Sequence, residues 1–328
     1  MNTPTVSPRL NLALIPPGTM GRQLITLAQD AMGRPMRVPL LIARGRRPGP
    51  VFGITAALHG NEINGIPVLH RLFNDIDPAK LRGTVVGAVV MNVPGFLQNE
   101  RWFHDGTDLN HKFPGSPTGD AARQYAHRIL DRVVSGFDYL VDLHTASFGR
   151  TNSLYIRADL EHDVTSRMAR LMRPELLLHN PASDKTLRGA AMELGIPAIT
   201  VEIGNPQRFQ ARYIRLTLQG IRALLGEFGL LPRKKYADRP TPIVCRSSGW
   251  LYTQEGGLLT VLPDLLDRVE EGEVLAHMTN IFGDRVEEFR APSAGVVIGR
   301  SVNPVGGSGA RILHLGHPAA ESDGFRIT

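Results

Sequence analysis

His59-Gly60-Asn61-Glu62 and Asp142-Leu143-His144 are the segments of this 328-residue chain best equipped for chemistry. Two imidazoles and a carboxylate make a three-donor set of the kind that holds catalytic zinc, leaving a fourth coordination position open. An HxxE tetrad by itself says little, because such tetrads arise by chance and a lone histidine more often serves packing. The surroundings add weight. VFGITAAL (51–58) leads into His59, and FDYLVDL (137–143) leads into His144. Apolar runs of this length, bounded by turn residues, read as inner strands of a sheet covered on both faces. Ligands at their ends would sit in the crevice at the carboxyl edge, where open α/β sheets bind their ligands.

The elements that must position these groups follow from periodicity. MRVPLLIAR (36–44), VVGAVVMNV (85–93) and AITVEIG (198–204) read as further strands. GIPVLHRLFNDI (65–76), DAARQYAHRILDRVV (120–134) and RYIRLTLQGIRALLGEFG (212–229) carry apolar residues at helical spacing. Alternation of this kind predicts a three-layer α/β domain. PRKKYADRPTP (232–242) reads as a boundary, which divides the chain into a catalytic domain over 1–235 and a β domain over 236–328. Beyond it, short strand-like runs alternate with glycines, as in GGLLTVL, AGVVIGR and GARILHLG, and predict a small all-β unit.

Composition narrows the chemistry. Cys245 is the single cysteine, so a disulfide framework and a thiolate-built zinc site are excluded, and any metal must rely on His and carboxylate. A reducing cytoplasm is the simplest compartment. The N-terminal stretch is broken by prolines and does not read as a secretory signal. No run approaches the roughly 20 apolar residues of a membrane span. The net charge of +6 is dispersed, with GRRPG (45–49) and RKK (233–235) as the tight clusters. Neither nucleic acid nor membrane is expected as a partner. A modest positive field would instead help steer an anionic small-molecule substrate. A homo-oligomer is left open.

A longer motif, Asn99-Glu100-Arg101-Trp102-Phe103-His104-Asp105-Gly106-Thr107-Asp108-Leu109-Asn110-His111-Lys112-Phe113-Pro114-Gly115, lies between the donor segments. Together with HGNE, DLH and TVEIG (200–204), in that order, it resembles the succinylglutamate desuccinylase/aspartoacylase family. The resemblance implies a zinc-carboxypeptidase-like three-layer α/β fold with a mixed central sheet. It implies one Zn2+ per chain, held by His59, Glu62 and His144. It makes Asp142 an acceptor that orients a ligand imidazole. Arg101 would polarise the scissile carbonyl, Asn110 would bind substrate, and Glu202 would serve as general base and acid. Glu202 also stands on its own physics. Its chain neighbours Ile199, Val201 and Ile203 are apolar and Gly204-Asn205-Pro206 ends the strand, so a carboxylate at that strand end is poorly solvated and should have a raised pKa.

One position departs from the family pattern. After the Asn the family usually has Arg, which pairs with a substrate carboxylate; this chain has His111. Imidazole lacks the planar fork of guanidinium. Either the substrate lacks that carboxylate or another cation replaces the Arg. Lys112 and Arg188 are the first candidates, Arg150 and Arg157 weaker ones.

The stretch from Gly272 to Val297 resembles half of a biotinyl/lipoyl-type barrel sandwich. No lysine follows Lys235, so it cannot carry such a cofactor. It is expected to wall the active-site mouth; Tyr252 could reach inward, but core or surface packing is the preferred reading for it. The leading expectation is a zinc amidohydrolase that removes an acyl group from a small N-acyl amino acid or related amine. A zinc carboxypeptidase acting on short peptides is the first alternative. A non-catalytic binding protein on a hydrolase scaffold is the second.

Overall fold

The computed structural model describes residues 3–182, 184–236, 239–320 and 325. In chain order the first part contains β1 (Thr5–Ser7), β2 (Thr19–Gln29), β3 (Pro35–Arg44), β4 (Arg47–Ala56), α1 (Gly65–Asp75), β5 (Arg82–Ala88), α2 (Val93–Gln98) and α3 (Ala121–Arg132). There follow β6 (Tyr139–His144), β7 (Arg150–Asn152), β8 (Leu154–Ala158), α4 (Asp163–Leu171), β9 (Leu176–His179), α5 (Leu187–Glu193), β10 (Ala198–Ile203) and α6 (Ala211–Glu227).

Parallel and antiparallel pairs share one large sheet, whose order is β1-β2-β3-β5-β4-β6-β10-β8-β9 before it continues into the C-terminal strands. β4, β6 and β10 are parallel neighbours, whereas β8 runs antiparallel to β10. Strand alternation sorts the side chains into two cores. Val141, Leu143, Ile199, Val201 and Ile203 face one cluster, which takes Val68, Leu69 and Leu72 from α1 and Ile221, Leu224 and Leu225 from α6. Leu140 and Ala198 face the other, with Tyr125, Ala126 and Ile129 from α3 and Ala190 from α5. Each fully buried aliphatic chain contributes roughly 1.5–3 kcal/mol of transfer free energy. The helices therefore form where their apolar stripe can cover the sheet. Asp120 caps α3 by accepting from the Arg123 amide at 2.8 Å.

From Ile243 onward only strands occur among the described residues: β11 (Ile243–Tyr252), β12 (Gly257–Val261), β13 (Arg268–Val269), β14 (Val274–Thr279), β15 (Arg285–Arg290), β16 (Gly295–Ser301), β17 (Val305–Gly306) and β18 (Arg311–Pro318). β11 pairs in parallel with β9 and antiparallel with β18, so the large sheet runs on through β18, β16 and β13. A second, antiparallel sheet of order β15-β14-β12-β17 packs over it around Leu275, Met278, Phe289 and Leu313. The all-β texture read from the glycine-spaced runs is the observed one. Among the described residues, no helix is long and apolar enough to cross a membrane.

Candidate active site

Register and alternation build the floor of the site. Thr200 pairs with Asp142 and Glu202 with His144 across the parallel β6–β10 ladder. Thr55 pairs with Asp142 on the other side. Across the antiparallel β8–β10 ladder, Glu202 pairs with Tyr155 and Thr200 with Arg157. Residues in register on neighbouring strands, and residues two apart on one strand, point to the same face. The apolar partners Ile199, Val201 and Ile203 turn to the opposite face. One face therefore carries Thr55, Asp142, His144, Glu202, Tyr155 and Arg157 side by side.

The HGNE segment follows β4 in a tight turn, with the Glu62 amide donating to the His59 carbonyl at 3.1 Å. Gly60 is required there by close approach. A Cβ at that position would lie 2.0 Å from the Gly95 carbonyl carbon and 2.2 Å from the Phe96 nitrogen. The Asn92 side chain accepts from the Gly95 amide at 2.9 Å and donates to the Trp102 carbonyl at 3.2 Å. It thus ties the start of α2 to the loop that delivers Arg101. Asn64, fully buried, donates to the Ile203 carbonyl at 2.7 Å and accepts from the Gln210 amide at 3.0 Å. That clasp joins the start of α1 to the end of the Glu202 strand.

At the centre, His59, Glu62 and His144 are all buried, with donor atoms within 4.8 Å of one another. Glu62 Oε1 lies 2.9 Å from His59 Nδ1, and Glu62 Oε2 lies 3.0 Å from His144 Nδ1. The two Nδ1 atoms are 3.2 Å apart. Two nitrogen lone pairs this close repel unless a proton or a cation lies between them. Each far nitrogen is held by a carboxylate: His144 Nε2 by Asp142 Oδ2 at 2.7 Å, and His59 Nε2 by Asp108 Oδ1 at 3.1 Å. Asp142 in turn accepts from Thr55 Oγ1 at 2.6 Å. Carboxylate-oriented imidazoles aimed at a common point are the arrangement in which proteins hold divalent metals, and the donor set fits such an ion. Asp159, Glu161 and His179 also approach one another. There, however, Glu161 is exposed and His179 Nδ1 already accepts from the Leu160 amide at 3.1 Å.

Charge balance reinforces the cluster. Burial works against ionising Glu62, but His59 and His144 outweigh it and hold the carboxyl well below its usual range. Burial likewise opposes protonation of His144, and Asp142 and Glu62 overcome it and push the imidazole well above its usual value. Glu202 behaves in the opposite sense. Burial raises its pKa, and the Coulomb attraction of Arg157 only partly offsets this. Its carboxylate accepts from Asn152 Nδ2 at 3.2 Å and lies 3.9 Å from Arg157 Nε. A buried carboxyl with a raised pKa on the same face as the donor cluster is suited to carry a proton.

The chain matches the family model described as the succinylglutamate desuccinylase/aspartoacylase catalytic domain over residues 48–228. It belongs to the succinylglutamate desuccinylase/aspartoacylase family. It is 26% identical over 292 residues to the N-alpha-acetyl-L-2,4-diaminobutyric acid deacetylase of Halomonas elongata, covering 83% of each chain. Its fold is similar to a succinylglutamate desuccinylase of Silicibacter sp. TM1040 (TM-score 0.84, 22% identity, 97% of this chain and 100% of the other). It is also similar to the product-bound ectoine utilization protein EutE (DoeB) of Ruegeria pomeroyi (TM-score 0.82, 22% identity, 91% and 95%).

Other groups of this family member lie around a cavity of about 260 Å³ beside the cluster. Arg101 reaches Glu62 Oε1 with Nη1 at 2.9 Å and binds Asp108 Oδ2 through Nη2 at 2.7 Å and Nε at 3.1 Å; it also meets Ser147 Oγ. Asn110 lines the cavity, with Oδ1 accepting from the Leu187 amide at the start of α5 at 2.9 Å. His111 stands at the mouth, its side chain 66% exposed. Arg188 also lines the cavity, but it is buried and its guanidinium is committed to the Asn180 carbonyl and side chain and to Asp184. Tyr252 does not line the cavity; Trp250 of the same strand does. A register shift between Leu251 and Tyr252 breaks the alternation that would have put both on one face. Asp108 and Asn152 gain roles that sequence reasoning had not assigned. Asp108 sits two residues before Asn110 in the long motif, which was the available signal; Asn152 had none.

Proposed function

We propose that this chain is a metal-dependent amidohydrolase, zinc being the metal that suits two imidazoles and one carboxylate. The observation that carries the reading is the convergence of His59, Glu62 and His144, each imidazole backed by its own carboxylate, beside a buried carboxyl, Glu202, with a raised pKa. A bound zinc ion would supply Lewis acidity to water and to the scissile carbonyl. The chain's own groups account for the rest. Glu202 takes a proton from the attacking water and returns it to the leaving amine. Arg101, held by Asp108, donates to the oxygen that gains charge as the carbonyl becomes tetrahedral. Asp142 and Asp108 fix which imidazole nitrogens face the ion. Strands and loops after residue 236 wall the cavity through Trp250 and Arg311, which favours small substrates over long peptides.

The substrates are small N-acyl amino acids or related amines, and the products are a carboxylate and a free amine. The Halomonas elongata relative makes N-alpha-acetyl-L-2,4-diaminobutyrate the first compound to test. The test is elemental analysis of the purified protein together with amine release from a panel of N-acyl amino acids and short peptides. About one zinc per chain with turnover of N-acyl amino acids supports the reading. Absence of bound metal, or cleavage confined to C-terminal residues of peptides, refutes it.

A further inference from the structure

The cavity beside the donor cluster contains more cationic side chains than the chemistry above uses. Most are already committed. Arg101 is bound to Asp108 and Glu62. Arg157 donates to the Tyr155 hydroxyl at 2.8 Å and faces Glu202. Arg188 is held by Asn180 and Asp184. Arg150 and Arg311 differ. Both line the cavity, and the side chain of neither makes a hydrogen bond or ion pair with a described residue. Both guanidinium groups lie against the indole of Trp250, with their carbons 5.5 Å and 5.0 Å from the ring centroid. Trp250 is stacked flat on His314, ring centroids 4.7 Å apart and 7° from parallel, and His314 Nε2 is 2.7 Å from Ser248 Oγ. The platform beneath the two cations is therefore fixed. Arg150 comes from the start of β7, which pairs with β16, and Arg311 from the start of β18, which also pairs with β16.

Burial and the positive charges of Arg311 and Arg101 lower the pKa of Arg150, and the carboxylates of Glu62 and Glu202 only partly offset them. Two nearby guanidiniums with free donors present the forked geometry that carboxylates bind. Position 111, where a forked cation would otherwise be expected, holds an exposed imidazole.

We propose that Arg150 and Arg311, seated on Trp250, form the carboxylate-recognition subsite of this enzyme, so that its substrate carries a free carboxylate and is not a neutral N-acyl amine. The inference rests on the hydrolase reading given above. The carboxylate could belong to the amino-acid half or to a dicarboxylic acyl half, and the chemistry of recognition is the same.

The test uses the full-length, zinc-loaded protein and three sets of compounds: N-acetyl-L-amino acids including the diaminobutyrate, their α-carboxamides, and N-succinyl alkylamines. Rates are measured alongside equilibrium binding, read by the fluorescence of Trp250 in a Trp102→Phe background. The acid should exceed its carboxamide by about 10- to 100-fold in kcat/KM and in affinity, the scale of charge-assisted hydrogen bonds. In Arg150→Gln/Arg311→Gln that ratio should fall toward one. Arg150→Lys/Arg311→Lys, which keeps charge without the fork, should lie between and serves if the glutamine variant does not fold. Preference for the N-succinyl alkylamine, lost in the same variants, would support the subsite and place the carboxylate in the acyl half. Equal handling of acid and amide, an acid preference that survives in the variants, or no binding of any compound would overturn the proposal. Acid-selective binding lost in the variants, with no compound hydrolysed, would leave the subsite standing and sink the hydrolase reading.

Discussion

Replacing Arg157 by Met isolates one electrostatic contact of Glu202, the proposed proton carrier. Arg157 Nε lies 3.9 Å from Glu202 Oε1, with the two side chains 32% and 12% exposed. Two unit charges at that separation interact by about 4 kcal/mol at an effective dielectric near 20 and about 1 kcal/mol in water. Partial exposure of Arg157 pulls the value below the interior figure. At about 1.4 kcal/mol per pKa unit, losing the cation raises the Glu202 pKa by roughly 1–2 units. The other charges facing Glu202, from Glu62, His144 and His59, are shared by both proteins and cancel in the comparison. Glu202 accepts a proton only when ionised, so activity rises as pH increases through its pKa. The acid limb of the kcat/KM profile should therefore move to higher pH by about 1–2 units, with the plateau reached later. Methionine keeps the unbranched stem, so packing beside Tyr155 is largely preserved. The assay is a pH–rate profile on an N-acyl amino acid with metal content verified at each pH. An unmoved limb, or one displaced to lower pH, would refute the assignment of Glu202 as the base.

Glu202→Gln should retain metal yet lose about 10²- to 10⁴-fold in kcat, checked by steady-state rates with elemental analysis. The same variant should gain stability at the pH where it loses activity. Burial lifts the folded pKa of Glu202 above its unfolded value, so its protonated form favours folding at low pH and that contribution is lost as pH rises through the folded value. Thermal melts should show the variant pulling ahead of the parent as pH rises from about 4, where the unfolded carboxyl ionises, through the raised folded value. Asp142→Asn removes the carboxylate 2.7 Å from His144 Nε2 and should weaken metal binding by about 10- to 100-fold in competition with a chelator. Gly60→Ala forces a Cβ into the Gly95–Phe96 backbone and should destabilise by about 1–3 kcal/mol or more, read from chemical denaturation.

Much of the site was legible because strand alternation and motif order are local properties. The apolar runs before His59 and His144 became β4 and β6, and AITVEI became β10, with Glu202 turned to the face of His144. The helices read over 65–76, 120–134 and 212–229 appear as α1, α3 and α6. The strand Thr19–Gln29 escaped a specific reading, because its polar and glycine positions mask the alternation. The continuation of the large sheet through β9 and β11 depends on pairing across a long stretch of chain, which no local pattern encodes.

The amino-acid sequence alone determined the donor types, the absence of thiolate ligands and the layered alternation, because these depend on composition and short-range period. Only the tertiary structure decided which arginines are free. Arg188 looked available in sequence and is consumed by Asn180 and Asp184, whereas Arg150 and Arg311, 161 positions apart, meet over one indole. A cation's availability is set by which acceptors the fold brings beside it, and that is a property of distant pairings.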